Sequence, residues 1–258
     1  MDWIDLAWTI MCTAAVSLAA VHLLVWTTKT EKWEHLFFAI AAGAIAAAAF
    51  IEISALRAET VAEYAALVRL VHVPIFLALV SLVLFVRLRF GAGKLGLVVL
   101  FCALRVASLV ANFSTGVNLQ FLEITGLRPL SLWGAEVVAP IGVANPWMAL
   151  GQASLVVFVV FVIDAALQIR RERGGDEYKR AAQTLASIGA FVIIGGGSVA
   201  WAVIQGGLPL VVTPPFIAVI VVAAYELGLD VARNYEHLHA SELHMALTGQ
   251  HTLVGQWA

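Results

Sequence analysis

Six polar side chains lie inside stretches that are otherwise apolar: Glu52, Arg69, His72, Arg105, Asn112 and Gln152. An ionisable group in such a setting is costly, and it is kept where it pairs, lines a cavity or meets a ligand. Arg69 and His72 are one helical turn apart, so a helix would present both on one face. Glu52 and Arg69 each fall about a turn from the facing ends of consecutive apolar runs, which predicts equal depth and a pair between them. Arg105 then needs another acceptor, from the protein or from a ligand. Two arginines, one histidine and one carboxylate form an electropositive cluster suited to an anionic or polar small molecule. A purely structural polar network fits the same residues.

A second group, His22, Asp164, Tyr225, Glu226 and Asp230, falls toward the other ends of the runs. It either ties the last run to its neighbours or meets lipid headgroups. No lysine lies in the last run, "PPFIAVIVVAAYELGLDVA", so no retinal-type Schiff base can form there. His22 and His72 fall at different depths, which argues against haem ligation by that pair. No Walker loop, H-E-x-x-H or G-x-S-x-G motif is present. No metal site is expected, and a solvated surface accounts for the four C-terminal histidines. No cofactor is predicted, although a lipid or quinone-like molecule is the kind of group the bundle could hold.

These residues need elements to position them. The chain has 258 residues, 62% hydrophobic and only 12% charged, where a soluble domain carries about 25% charged. An integral membrane protein is implied, with the lipid bilayer as its solvent. The net charge of −2 gives no reason to expect nucleic acid. Cys12 and Cys102 both lie in apolar runs and imply no disulfide framework. The start, Met-Asp-Trp-Ile-Asp, has no basic n-region and reads as a retained span rather than a signal peptide.

A span takes about 20 apolar residues, and seven runs qualify: 4–28, 36–57, 64–87, 95–113, 147–169, 181–205 and 213–232. The expected fold is an all-α integral membrane bundle of seven transmembrane helices over 1–232, because a lipid-exposed backbone must satisfy its own hydrogen bonds. Basic residues cluster after the odd-numbered runs: Lys29 and Lys32; Arg87, Arg89 and Lys94; Arg170, Arg171, Arg173, Lys179 and Arg180; and Arg233. Only Arg57 and Arg128 fall on the other side. The N-terminus is therefore expected outside and the C-terminus in the cytoplasm.

The connection 114–146 is long and apolar, with Leu132, Trp133 and Val137 among its residues and Gly126, Pro129, Gly134 and Pro140 as turn signals. Short strands folded over the mouth of the bundle are expected, as a ligand-contacting lid that includes Trp133 or as a structural cap. "GGGS" at 195–198 fits close helix packing or a hinge, and Pro214-Pro215 fits a helix start. No helix breaker interrupts Phe216 to Thr248 apart from Gly228, so the last helix is expected to run on into the cytoplasm over 233–258. Val231, Leu238 and Met245 recur every seven residues, one seam of a heptad.

The closing stretch carries Tyr225-Glu226-Leu227, Asp230, then "SELHMAL" at 241–247 and "VGQW" at 254–257. It resembles the junction of bacterial seven-transmembrane sensor histidine kinases, where a YEL-S/G-x-D segment leads through a signalling helix to the start of a PAS domain. "NFSTGVNLQFLEITGL" and "GVANPWMALGQASL" are similar to the same family, and the likeness covers essentially the whole chain. His244 stands where the family usually has arginine. The resemblance implies a homodimeric sensory input module of a two-component system in the bacterial inner membrane. It implies transmission through Tyr225, Glu226, Asp230, Val231, Leu238 and Met245 to a cytoplasmic PAS and kinase output in cis or in trans. The chain stops where that PAS domain would begin, so without phosphoacceptor and ATP-binding domains it is expected to have no enzyme activity. A small transporter or channel and an accessory subunit of a larger membrane complex are the alternatives; no internal repeat supports a transporter.

Overall fold

The computed structural model describes residues 2–28, 31–132, 134–173, 175–206, 208–226 and 228–229. Trp133, Asp230, Val231, Leu238 and Met245, with the whole expected cytoplasmic extension, lie outside them. The chain divides into a unit over 1–220 and a second over 221–258.

Among the described residues six helices are long and apolar enough to cross a membrane: α1 Trp3–Thr28, α2 Trp33–Leu56, α3 Val61–Phe90, α4 Leu95–Ser114, α5 Met148–Glu172 and α6 Gly175–Gln205. The chain is a multi-pass helical membrane protein. A seventh, shorter apolar helix is described over Pro214–Glu226, so the expected run to 232 leaves the described residues before its end. It opens with a 3-10 turn at Pro214–Phe216, as the paired prolines predict.

The helices are apolar on both their inner and outer faces, the pattern of lipid-embedded segments. On α4, Phe101 is fully buried while Val99, Val106, Val110 and Phe113 are exposed. Consecutive helices pack side by side, and α3 also touches α5 and α6, which makes it the central element. Alanine at 41, 42, 44, 46, 48 and 49 thins α2 so that its neighbours approach closely; the Cys12 thiol lies 3.2 Å from the Ala46 carbonyl. α3 starts on a T-x-x-E cap, with Thr60 Oγ1 accepting from the Glu63 N–H at 3.1 Å.

The connection after α4 folds as an antiparallel hairpin of β1 Phe121–Leu132 and β2 Ala135–Ala144, with longer strands than expected. Phe121 and Ile124 pack on Ala55, Tyr64, Val68 and Val203. Ala135 and Val137 pack on Ile4, Trp8 and Leu56. The hairpin thus roofs the end of the bundle formed by the start of α1, the end of α2 and the start of α3. Gly116, at φ +58°, turns the chain off α4; a Cβ there would lie 2.7 Å from Leu122 Cα.

The roof is pinned by Arg57. Its guanidinium donates to the Asp2 carboxylate, to Asp5 at 3.1 Å and to the Glu136 carbonyl. Trp3 Nε1 donates to the Leu132 carbonyl at 3.2 Å. The Asp5 backbone N–H, and then Arg57, hold the Asp2 carboxyl below the usual carboxylate range. That contribution is present above the ordinary aspartate value of about 3.9 and is lost as pH falls through the lower folded value. The Trp3 fluorescence signal, taken as wild type minus Trp3→Phe, is predicted to hold from about pH 8 to pH 5 and to shift only below about pH 4. Arg57→Gln should move it at neutral pH. No difference between Arg57→Gln and wild type would refute the pin.

Candidate functional site

Beneath the roof the backbone of 115–120 is neither helix nor strand, and its last three residues, Asn118, Leu119 and Gln120, are buried. Three fully buried asparagines satisfy it. Asn112, on the last turn of α4, donates to the Arg69 carbonyl at 2.9 Å and accepts from the Leu119 N–H at 3.0 Å. Asn118 Oδ1 accepts from the N–H groups of Gln120 and Phe121 at 3.0 and 2.9 Å. Asn145 donates its side-chain amide to the Asn118 carbonyl at 2.8 Å and its backbone N–H to the Gln120 carbonyl at 2.8 Å. This lattice directs Leu119 and Gln120 down among α3, α5 and α6.

Gln120 meets His72 there. His72 Nδ1 lies 2.8 Å from the Val68 carbonyl, which can only accept, so Nδ1 carries the proton. Nε2 is then an acceptor and takes the Gln120 Nε2–H at 2.8 Å. This fixes the amide orientation and leaves Gln120 Oε1 buried with no partner. The imidazole has used both nitrogens.

Arg105 projects from α4 toward the same place and is only 6% exposed. One Nη lies 3.3 Å from Ser154 Oγ, which in turn donates to the Gly151 carbonyl at 2.6 Å. Its Nε is buried and unpartnered. No carboxylate among the described residues pairs with it; Asp2 and Asp5 pair with Arg57, and Asp164 with Lys94. Leaving one buried charge without its partner costs about 3–5 kcal/mol. His72, Arg105, Gln120 and Gln152 line a cavity of about 80 Å³, walled by Ile75, Leu79, Leu155, Phe191 and Val199.

Glu52 does not pair with Arg69, contrary to expectation. The two side chains find different partners. Glu52, 4% exposed, accepts from Trp8 Nε1 at 3.1 Å, from the Val212 and Thr213 N–H groups and from the Thr213 hydroxyl. Arg69 donates to the Gly116 carbonyl at 3.0 Å and lines a separate groove with Leu70 and Phe113. His72, Arg105 and Gln152 therefore come together, while Arg69 and Glu52 face elsewhere and Asn112 serves the backbone. Gln120 and Ser154 escaped sequence reasoning: each sits one or two residues from a singled-out motif position, but an uncharged side chain beside a glycine-rich loop carries no periodic signal.

"GGGS" resolves as close packing. α6 is unbroken through it, a Cβ at Gly195 would lie 2.9 Å from the Val212 carbonyl, and Ser198 Oγ donates to the Val211 carbonyl at 2.6 Å. Asp164 turns out to hold the α3–α4 connection, accepting from the Lys94 N–H at 2.9 Å, rather than meeting the last helix. His22 and His35, read separately in sequence, approach with Nδ1 atoms 3.0 Å apart. Tyr225 and Glu226 lie at the end of the described helix, in the second unit. Among the described residues, no cluster of three or more His, Cys, Asp or Glu could hold a metal ion.

Glu52→Ala would strand four donors, three of them fully buried, at about 1–3 kcal/mol for each buried one. It should lower stability by at least about 3 kcal/mol, read as a drop in Tm in mild detergent. Asn118→Ala, which frees two backbone N–H groups, should cost about 2 kcal/mol or more. Changes within about 0.5 kcal/mol would show that these groups are not structural. Comparison with known proteins returns no matching family model, no matching curated sequence and no matching solved structure.

Proposed function

We propose that this chain is the input module of a sensor histidine kinase, set in a bacterial cytoplasmic membrane as a seven-span bundle with its N-terminus outside. It perceives a small anionic ligand and passes the signal through the seventh helix to a cytoplasmic PAS and kinase output, acting as a homodimer. The output and the dimer rest on the likeness of the closing stretch to that family. The orientation rests on the basic turns, Arg87, Arg89 and Lys94 with Arg170, Arg171 and Arg173, which lie at the bundle end away from the hairpin.

The observation that carries the sensory reading is Arg105, a buried guanidinium without a carboxylate in an apolar cavity. A route to the output is built beside it. Val212 lines the cavity, its N–H is held by Glu52, and Pro214 opens the last helix two residues on. A ligand that fits the cavity better in one position of this segment than in another shifts the balance between the two.

The test is the chain fused in register to a PAS–kinase output and reconstituted in liposomes. Arg105→Leu is expected to insert normally and to change ligand-dependent autophosphorylation by at least about tenfold, the loss of one charged contact. Output indifferent to this substitution would sink the sensory reading. Solute flux through the unfused chain would favour a transporter.

A further inference from the structure

We propose that the Arg105 cavity takes a compact 2-hydroxy carboxylic acid, its carboxylate on the Arg105 guanidinium, its hydroxyl donating to Gln120 Oε1 and its short apolar body against Ile75, Leu79, Leu155 and Phe191. The inference deepens the sensory reading and rests on it only for the word signal; the binding chemistry stands on the cavity alone.

Each part of the ligand answers an unmet demand of the site. Arg105 is 94% buried by its 6% exposure, and its Nε donor has no partner. Water would satisfy the N–H but not the charge, so the partner is an anion. One guanidinium in a mostly apolar wall matches one negative charge, which favours a carboxylate over a phosphate; the planar fork of Arg suits it. Gln120, 8% exposed, has its Nε2 committed to His72, so its free Oε1 calls for a donor. His72 cannot supply that donor, because its one proton is held by the Val68 carbonyl. An ammonium in that position would face Gln120 with no carboxylate to neutralise it. A hydroxyl fits the demand.

Size sets the rest. A cavity of about 80 Å³ holds roughly five to eight water-sized probes at 10–15 Å³ each. That admits an acid of about eight heavy atoms and excludes a phospholipid.

The experiment is calorimetric titration of the full chain in mild detergent. The probes are 2-hydroxy-3-methylbutanoate, 3-methylbutanoate without the hydroxyl, valine with an ammonium in its place, and 3-methylbutylamine. The hydroxy acid is expected to bind best, the plain acid and valine about tenfold or more weaker, and the amine not at all. Arg105→Leu should abolish binding and Arg105→Lys should retain part of it. Gln120→Leu should erase the preference for the hydroxyl without erasing binding of the plain acid. Ile75→Trp, which leaves every polar group in place and fills the cavity, covers the case in which Arg105→Leu fails to fold, and should also abolish binding.

Equal binding of amine and acid, binding untouched by both Arg105→Leu and Ile75→Trp, or a cavity that takes water and no probe would each overturn the proposal. A kinase fusion that responds through Arg105 while no acid binds would reject the ligand class and keep the sensory reading. Tight binding with no change in kinase output would do the reverse.

Discussion

A backbone that leaves helix or strand inside a membrane protein must still pair every N–H and carbonyl it buries, because lipid offers neither donor nor acceptor. In this chain the constraint falls on residues 115–120, between α4 and the hairpin. Asn112, Asn118 and Asn145 meet it with side-chain amides: Asn112 donates and accepts, Asn118 accepts twice and Asn145 donates. The placement of Gln120 against His72 follows from that short lattice. So does the seat of the hairpin, since Asn145 closes the loop by binding the carbonyl of Gln120.

A second buried hub does the same for the other break in helical structure. Residues 211–213, ahead of the last helix, have no regular pairing of their own. Ser198 takes the Val211 carbonyl, and Glu52 gathers the Val212 and Thr213 donors. A carboxylate accepts several bonds and donates none, so it suits a place where donors converge. Gln120 and Val212 both line the space between the two hubs, with Leu67, Val68 and Val71 of α3. The polar residues of this bundle thus divide into those that serve the backbone and those left over for the cavity.

That division explains what the sequence could and could not convey. Length, apolarity and turn signals located six long helices to within a few residues and the hairpin between α4 and α5. Azimuth was not legible. Glu52 and Arg69 face different neighbours, and no pattern in an all-round apolar helix reports which way a polar side chain points. Asparagine is the harder case, since the same residue type serves a ligand or a backbone. Only the path of 115–120 shows that Asn112 belongs to the second kind. The partnership of His22 and His35 was hidden for a related reason, being set by how α1 and α2 lean together rather than by spacing.

The first turn of α1 is woven into the roof by Asp2, Trp3 and Asp5. For anyone expressing this protein, the residues ahead of Trp3 are a costly place for a tag. A fusion before Asp2 would crowd the carboxylates that Arg57 gathers and would disturb the cover of the cavity while leaving the helices inserted.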